Sequence, residues 1–125
     1  MKVIENEMII FCDVDDTLIL HDIEKHTYAK TIVVTDPYCG SERVLAVHEP
    51  HVQLLTERAA RGAYIIVMSH GGYRWAEAVV KALKLEKVVS EVMSKPIAVI
   101  DDLPIAHALG DTTYLKPDSK WKKNG

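Results

Sequence analysis

FCDVDDTLIL, residues 11–20, places three carboxylates within four positions directly after an apolar run. The run at 8–12 is short, continuous and bounded by charge, which predicts a strand buried on both faces of a parallel sheet. Asp13, Asp15 and Asp16 follow at its end, and like charges this close repel one another. We therefore expect a metal, a phosphate-handling site or a purely structural role at the end of this strand.

Two further apolar runs have the same character and also end in a polar residue. They are AYIIVM at 63–68 and IAVI at 97–100, followed by Ser69 and Asp101. In open α/β sheets, ligands bind beyond the carboxyl ends of the strands. The sequence therefore predicts that Asp13, Ser69 and Asp101 point into one crevice.

The segments between these strands predict helices and a hairpin. Pro50 and Gly62 bracket a helix at about 50–61, and a second helix is expected at about 73–83. Two β-rich runs separated by turn residues predict a β-hairpin flap at about 30–48. Weaker patterns indicate short strands at 87–93 and 112–115 and a short helix at 104–109.

Composition limits the classes of protein to consider. A chain of 125 residues that is 48% hydrophobic fits one domain, 1–125, and its net charge of −3 gives no global attraction for nucleic acid. The apolar runs are too short to span a membrane and no signal-peptide pattern opens the chain, so we expect a cytoplasmic protein. A basic tail at about 116–125 contains Trp121 and is a weak indication of polynucleotide contact.

The acidic motif resembles the first motif of the haloacid dehalogenase (HAD) superfamily, an apolar strand followed by D-x-D-x-T. Ser69 resembles the second motif, Lys95 the third, and Asp101 with Asp102 the fourth. The four motifs stand in the family's order over residues 8–102. The resemblance implies an α/β, Rossmann-like three-layer sandwich with a mainly parallel sheet, a hairpin flap and no full cap domain.

The resemblance also implies a mechanism. Asp13 would attack a phosphoryl group to form an aspartyl-phosphate, and Asp15 would protonate the leaving oxygen and later activate water. Mg²⁺ would be held by Asp13, by the backbone carbonyl of Asp15 and by the fourth motif. Asp102 matches the direct ligand best, with Asp101 adjoining it or acting through water.

The remaining motif residues would bind the phosphate. Ser69 offers a hydroxyl, and the amides of His70 and Gly71 at a helix start offer further donors. Lys95 would place a positive charge between the phosphate and Asp13. The role of Asp16 stays open, because many family members have glycine at that position.

These expectations define a leading function and its alternatives. The leading interpretation is a Mg²⁺-dependent phosphatase for phosphate monoesters, with nucleotides or polynucleotide phosphate ends as candidate substrates. The alternatives are a phosphotransferase and a non-catalytic phosphate-recognising module on the same fold. An open site without a cap suits a large substrate, or else a partner subunit must close it.

The histidines receive a weaker interpretation. HEPH at 48–51 superficially resembles a zinc-protease helix, but its spacing is one residue short and Pro50 intervenes, so a solvated helix start is expected there. The sequence identifies no partner for His21, His26 or His107.

Overall fold

The computed structural model describes residues 8–118, which form a mixed α/β fold. The described tail ends at Asp118, so most of the predicted basic tail, including Trp121, lies outside the described residues. The elements in chain order are β1 Ile9–Asp13, β2 Ile19–Leu20, β3 Thr31–Thr35, β4 Glu42–Val47, α1 Glu49–Ala60, β5 Tyr64–Ser69, α2 Tyr73–Ala82, β6 Glu91–Ser94 and α3 Ile105–Ala108.

A parallel sheet with strand order β1-β5-β6 confirms the two apolar runs at 8–12 and 63–68 as neighbouring strands. Cys12 lies opposite Val67 in the β1–β5 register, and both are buried in one apolar cluster with Leu55 of α1 and Val79 of α2. Because side chains alternate along a strand, this face of the sheet is the core face, and both α1 and α2 pack on it.

Ile9 and Phe11 on the other face of β1 are about half exposed, so the prediction of a strand buried on both faces is wrong for β1, and the described residues do not form the expected three-layer sandwich. The weaker strand prediction at 87–93 is confirmed only at residues 91–93, which lie in β6, whereas residues 87–90 are not in a strand.

A second, antiparallel sheet has strand order β2-β4-β3 and contains the predicted hairpin. Its turn is held by Asp36, whose carboxylate accepts the Tyr38 amide at 2.9 Å and pairs with Arg43 at 3.1 Å. The hairpin packs against α2, since the Arg43 guanidinium lies 5.7 Å from the centre of the Trp75 ring. The predicted hairpin is therefore part of a three-stranded sheet, in which its strand β4 also pairs with β2.

The two long helices follow their sequence signals. Pro50 lies in the first turn of α1, and the helix ends before Gly62, which has a φ of 93°. Only glycine adopts that conformation without strain. Helix α2 buries Trp75, Ala76, Val79 and Val80 on one side. Within residues 8–118, no helix has the length and apolar character needed to cross a membrane.

The predicted strand at 97–100 is not formed. Residues 97–100 have no regular structure and are exposed, and so are Asp101 and Asp102. The apolar run fits a strand in composition, but it follows β6 after Lys95 and Pro96 alone, and proline at this point removes a donor from any ladder. The predicted strand at 112–115 is also absent, whereas the short helix expected at 104–109 is present as α3.

The predicted solvated helix start at His48 and His51 is wrong, because both side chains are buried. Their rings stack at 3.8 Å between centroids with an angle of 4° between the planes. Each ring also binds Leu115: His48 Nε2 donates to its carbonyl at 3.1 Å, and its amide donates to His51 Nε2 at 2.8 Å. The pair therefore holds the far end of the chain beside α1.

The hydrogen bonds fix both rings as neutral. His51 Nδ1 donates to the Thr17 carbonyl at 2.7 Å, so its Nε2 is an acceptor. His48 Nδ1 accepts the His51 amide at 3.4 Å. Burial, and then the neighbouring His51, lower the pKa of His48 to about 4, and burial lowers the pKa of His51. Protonating either ring would remove an acceptor and place a charge in the stack.

The histidine pair predicts a loss of stability in mild acid. The unfolded chain takes up protons below pH about 6.5, whereas folded His48 resists protonation until about pH 4. The free energy of unfolding should therefore fall between pH 6.5 and 4, by up to about 1.4 kcal/mol per pH unit for each proton. Denaturant unfolding at pH 7 and pH 5 measures this slope.

A matched pair of variants isolates the effect. His51→Gln keeps a donor and an acceptor but does not titrate, so its slope should be flatter than that of the unmodified chain. His107→Gln removes an exposed histidine and should leave the slope unchanged. Equal slopes in all three proteins would contradict the assignment.

Candidate functional site

The carboxyl ends of β1, β5 and β6 lie side by side and position the candidate site. Asp13 is opposite Met68 at the end of β1, and Ser69 is opposite Ser94 at the ends of β5 and β6. The amide of Lys95 donates to the Ser69 carbonyl at 2.8 Å, so Lys95 directly extends the third strand end. The structure therefore brings the first three predicted motifs to one edge of the parallel sheet.

The acidic loop turns so that apolar and charged side chains separate. Val14 and Leu18 are fully buried, and the Leu18 amide donates to the Val14 carbonyl at 2.8 Å. Asp15 lies within this tight turn and is partly buried. Asp13, the last residue of β1, comes directly before the turn and is also partly buried. The burial of two apolar side chains thus fixes where both carboxylates lie.

Asp13 has two protein partners. Thr17 Oγ1 donates to Asp13 Oδ2 at 3.1 Å, which closes the turn across the loop. Lys95 Nζ lies 3.5 Å from Asp13 Oδ1, and both side chains are about two-thirds covered. Lys95 therefore lies where it can neutralise Asp13 and any anion that approaches it.

Asp15 accepts hydrogen bonds from three separate parts of the chain. Ser69 Oγ donates to Oδ2 at 3.0 Å, and Trp75 Nε1 donates to Oδ1 at 3.0 Å. His21 Nε2 lies 2.8 Å from Oδ1 and donates to it, because an ionised carboxylate only accepts. This carboxylate is thereby joined to β5, to α2 and to the segment after β2.

The hydrogen bonds decide the ionisation of Asp15. Partial burial alone would raise its pKa, but the bonds from His21, Trp75 and Ser69, with the charge of His21, outweigh burial and hold the pKa below its ordinary value. Asp15 is therefore a carboxylate at neutral pH in this arrangement.

The turn after β5 is held by hydrogen bonds within the chain. Ser69 is fully buried, and its Oγ accepts the Gly71 amide at 3.0 Å while donating to Asp15. The Gly72 amide donates to the Ser69 carbonyl at 3.1 Å, and α2 begins at the next residue. His70 is exposed at the turn. An anion that binds here must redirect the Ser69 hydroxyl from Asp15.

Asp16 has a conformational role. Its φ is 60°, in the left-handed region that glycine adopts readily and that aspartate tolerates better than most residues. Its carbonyl accepts the Tyr114 hydroxyl at 3.0 Å. The position of glycine in the resembled motif thus agrees with a backbone requirement at Asp16.

The fourth predicted motif does not join the others. Asp101 and Asp102 are exposed, and the Asp101 carboxylate accepts the Leu103 amide at 3.0 Å in a local turn. That amide is the main cause of a lowered pKa at Asp101. Within residues 8–118, no three or more histidine, cysteine or acidic side chains are grouped to hold a metal ion. Asp13 and Asp15 fit a hard cation in chemistry, but the predicted third acid is missing from their side.

Three contributors to the site were missed from the sequence. Trp75 was assigned only to the apolar face of a helix, yet the N–H of a buried tryptophan needs an acceptor, and that requirement is a usable signal. Ser94 joins the end of β6 to the start of α2, because its Oγ accepts the Tyr73 amide at 3.0 Å. The strand-end rule finds Ser94 once β6 is placed at 91–94. No sequence signal identifies His21 as the partner of Asp15.

The backbone role of Asp16 is testable with two substitutions. Asp16→Gly should leave the free energy of unfolding unchanged or raise it by up to about 1 kcal/mol, because glycine adopts positive φ without strain. Asp16→Ala should lower it by about 1 kcal/mol, since alanine has the same strain and no polar side chain. Denaturant unfolding of both variants checks the prediction, and equal effects would contradict it.

Comparisons of the chain with known proteins found no similar protein. A scan against protein-family models, a search of curated proteins and a search of solved structures each found no match. The function is therefore argued from the residues and their geometry.

Proposed function

We propose that this chain is a Mg²⁺-dependent phosphatase of the HAD superfamily, with a Rossmann-like fold, that hydrolyses phosphate monoesters through an aspartyl-phosphate. One observation carries the proposal: Asp13, Asp15, Ser69 and Lys95 meet at the carboxyl ends of adjacent parallel strands. Ligands bind at that edge in open α/β sheets. The roles that the motif resemblance implies are compatible with this arrangement for all four residues.

In the first step, a carboxylate oxygen of Asp13 attacks phosphorus, and the bond from phosphorus to the ester oxygen breaks. Lys95, 3.5 Å from Asp13, offsets the negative charge of the phosphate as it approaches the carboxylate. The leaving oxygen takes a proton from Asp15. Because Asp15 begins as a carboxylate, it must first take this proton from solvent, which the negative charge of the arriving phosphate favours by raising the pKa of Asp15.

In the second step, Asp15 accepts a proton from water, which attacks phosphorus and releases the Asp13 carboxylate. The low pKa that the three hydrogen bonds produce keeps Asp15 ionised and able to accept this proton, although it also makes the carboxylate a weak base, so the negative charge of the bound phosphate must raise the pKa in this step too. Ser69 supports both steps: its hydroxyl turns from Asp15 to a phosphate oxygen as the phosphate enters and returns as the phosphate leaves. The proton that Asp15 gives in the first step is thus recovered in the second.

Mg²⁺ would be held by Asp13 and by the backbone carbonyl of Asp15, and it would supply charge neutralisation for the equatorial phosphate oxygens. Mg²⁺ needs only one or two carboxylates when waters and substrate oxygens complete its shell. The first motif alone therefore provides a minimal set of protein ligands. Asp101 and Asp102 are not part of that set within one chain.

The rim of the site favours a substrate that carries a base. Tyr73 and Tyr38 are exposed at the start of α2 and at the hairpin turn, and the Tyr38 hydroxyl occupies the space that a side chain at Gly72 would need. The Arg74 guanidinium lies 6.0 Å from the centre of the Tyr73 ring. Aromatic faces and arginines bind bases by stacking and phosphates by charge. We propose nucleotides or polynucleotide phosphate ends as the substrate class.

A phosphatase assay tests the central proposal. Purified protein should hydrolyse a generic phosphate monoester with Mg²⁺, and Asp13→Asn should lower kcat/KM about a thousandfold or more, because the nucleophile is lost. Asp111→Asn, which changes an exposed acid elsewhere, should retain full activity. No turnover above the level of Asp13→Asn would reject the proposed catalysis.

A ligand-binding measurement separates catalysis from recognition. Beryllofluoride with Mg²⁺ mimics the phosphoryl group on Asp13 and should raise the Tm of the unmodified chain by about 5 °C by mass action. The shift should vanish in Asp13→Asn. A module that only recognises phosphate would respond to the intact phosphoester and not to beryllofluoride, and a phosphotransferase would form product with an alcohol acceptor in place of water.

If Tyr73 stacks on a base, the effect of its removal on KM should depend on whether the substrate carries a base. Tyr73→Ala should raise KM about tenfold for a nucleotide monophosphate, because stacking on the base is lost. The same variant should leave KM for a small phosphate ester without a ring unchanged. Tyr28→Ala removes a tyrosine of similar exposure away from the rim and serves as the control. Equal KM changes for both substrates would contradict the stacking role.

A further inference from the structure

The two oxygens of the Asp15 carboxylate have different partners. Oδ1 accepts two hydrogen bonds, from Trp75 Nε1 at 3.0 Å and from His21 Nε2 at 2.8 Å. Oδ2 accepts one, from the Ser69 hydroxyl at 3.0 Å, and no other group within residues 8–118 donates to it. Each carboxylate oxygen has two lone pairs that can accept a bond. Oδ1 is therefore fully occupied, whereas Oδ2 has room for one more partner.

Trp75 is the donor that is least able to move. Its side chain is 5% exposed and lies in the apolar core cluster with Ala76 and Val79 of α2. An indole N–H only donates, and a buried donor without an acceptor is unfavourable. The space beside the ring is also filled, since a Cβ added at Gly71 would lie 3.1 Å from Trp75 Cδ1. The bond from Trp75 to Asp15 Oδ1 is therefore a fixed part of the packing.

The hairpin holds the same indole ring. The Arg43 guanidinium of β4 lies over the Trp75 ring, 5.7 Å from its centre, and is itself paired with Asp36 at 3.1 Å. The negative face of an aromatic ring attracts a cation placed over it. The hairpin and the core together therefore set the direction in which the indole N–H points.

His21 bonds to Oδ1 from the solvent side. It follows directly after β2, whose Ile19 and Leu20 are buried, so the backbone before it is fixed. Its own side chain is 38% exposed. The second bond to Oδ1 thus comes from a ring that is anchored in the fold and can be substituted without loss of core packing.

Ser69, in contrast, can release its oxygen. Its hydroxyl has one hydrogen, which it donates to Asp15 Oδ2, while its oxygen accepts the Gly71 amide. A hydroxyl hydrogen rotates to suit its acceptor, and a phosphate oxygen is a strong acceptor. Once that hydrogen points to a phosphate, Oδ2 is free on the side where the phosphate lies. Oδ1 stays bonded to Trp75 and His21.

We propose that Trp75 and His21 are positioning residues that hold Oδ1 of Asp15 and reserve Oδ2 as the oxygen that carries the proton in both steps of the reaction. The inference rests on the proposed phosphatase function. In the first step, Oδ2 gives a proton taken from solvent to the ester oxygen, as the bond from phosphorus to that oxygen breaks and the bond from phosphorus to Asp13 forms. In the second step, Oδ2 takes a proton from water, as the water oxygen bonds to phosphorus and the bond to Asp13 breaks.

Leaving-group dependence tests the positioning of Asp15. An alkyl alcohol needs a proton to leave, whereas p-nitrophenolate is a stable anion and leaves without one. Trp75→Phe keeps an aromatic ring in the core and removes the N–H. It should lower kcat/KM for an alkyl phosphate by about a hundredfold, the lower end of what a general acid contributes, and change kcat/KM for p-nitrophenyl phosphate by less than about threefold.

The second step gives another readout with the same variant. Hydrolysis of the aspartyl-phosphate needs Asp15 as the base, whatever alcohol has left. With p-nitrophenyl phosphate, kcat and KM of Trp75→Phe should therefore fall together, and rapid mixing should show a burst of about one p-nitrophenolate per chain. A substitution that only loosens the fold would lower kcat/KM for both esters by the same factor, without a burst.

Substitutions at His21 repeat the test at an exposed position. His21→Ala removes the donor and should show the same selective loss with the alkyl phosphate, by about tenfold, because Trp75 still holds Oδ1. His21→Gln places an amide N–H near the position of Nε2 and should recover most of the activity. His26→Gln changes a histidine that bonds to Tyr28 instead and should leave the rates with both esters unchanged.

The outcomes separate this inference from the phosphatase proposal. If the unmodified chain hydrolyses neither ester with Mg²⁺, both proposals are rejected. If the unmodified chain is active but Trp75→Phe and His21→Ala lower kcat/KM by the same factor for both esters, the phosphatase stands and the positioning role is overturned. If Trp75→Phe does not fold, the His21 variants decide, and equal losses in His21→Ala and His21→Gln would overturn the role.

Discussion

The site depends on the carboxylate of Asp15, which collects hydrogen bonds from Ser69, Trp75 and His21. These donors come from the end of β5, from α2 and from the segment after β2, so one ionised group joins three elements. Placing a charge in a partly buried position is unfavourable unless donors surround it. The three bonds meet that requirement, and hydrogen bonds to a charged group are stronger than neutral ones. The acidic loop, the helix start and the strand ends are therefore fixed relative to one another by one carboxylate.

The repulsion expected among the three acids is resolved by different means at each position. Asp13 is balanced by Lys95 and Thr17, and Asp15 is balanced by its three donors. Asp16 is exposed and turns the chain at positive φ. Because each acid has its own compensation, repulsion alone does not require a cation in the first motif. The proposal of Mg²⁺ rests instead on the chemistry of phosphoryl transfer, in which the charge of the phosphate itself must be neutralised.

Local patterns in the sequence predicted the elements that depend on local interactions. The apolar runs at 8–12 and 63–68, the hairpin at 30–48 and the two long helices are all present, because periodicity, turn residues and glycine stops act over a few residues. Ser69 lies at a strand end as predicted, for the same reason, whereas Lys95 was expected just before a strand at 97–100 and instead follows the end of β6. The sequence could not reveal that His48 and His51 are buried. Their partners at Leu115 lie more than sixty positions away, and a polar residue at a helix start ordinarily lies in solvent.

The error at 97–100 has a different origin, and it shows what controls the remaining part of the fold. The run IAVI followed by two acids has the composition of a strand, but composition ignores the length of the connection before it. That segment is held at both ends near the site: Lys95 binds the Ser69 carbonyl, and the Tyr114 hydroxyl binds the Asp16 carbonyl. Residues 96–113 therefore form a loop whose two anchors lie beside the same acidic motif. A loop anchored at both ends in this way stays beside the site, and the two residues that connect it to β6 are too few for a parallel strand beginning at residue 97 to reach the free edge of β1.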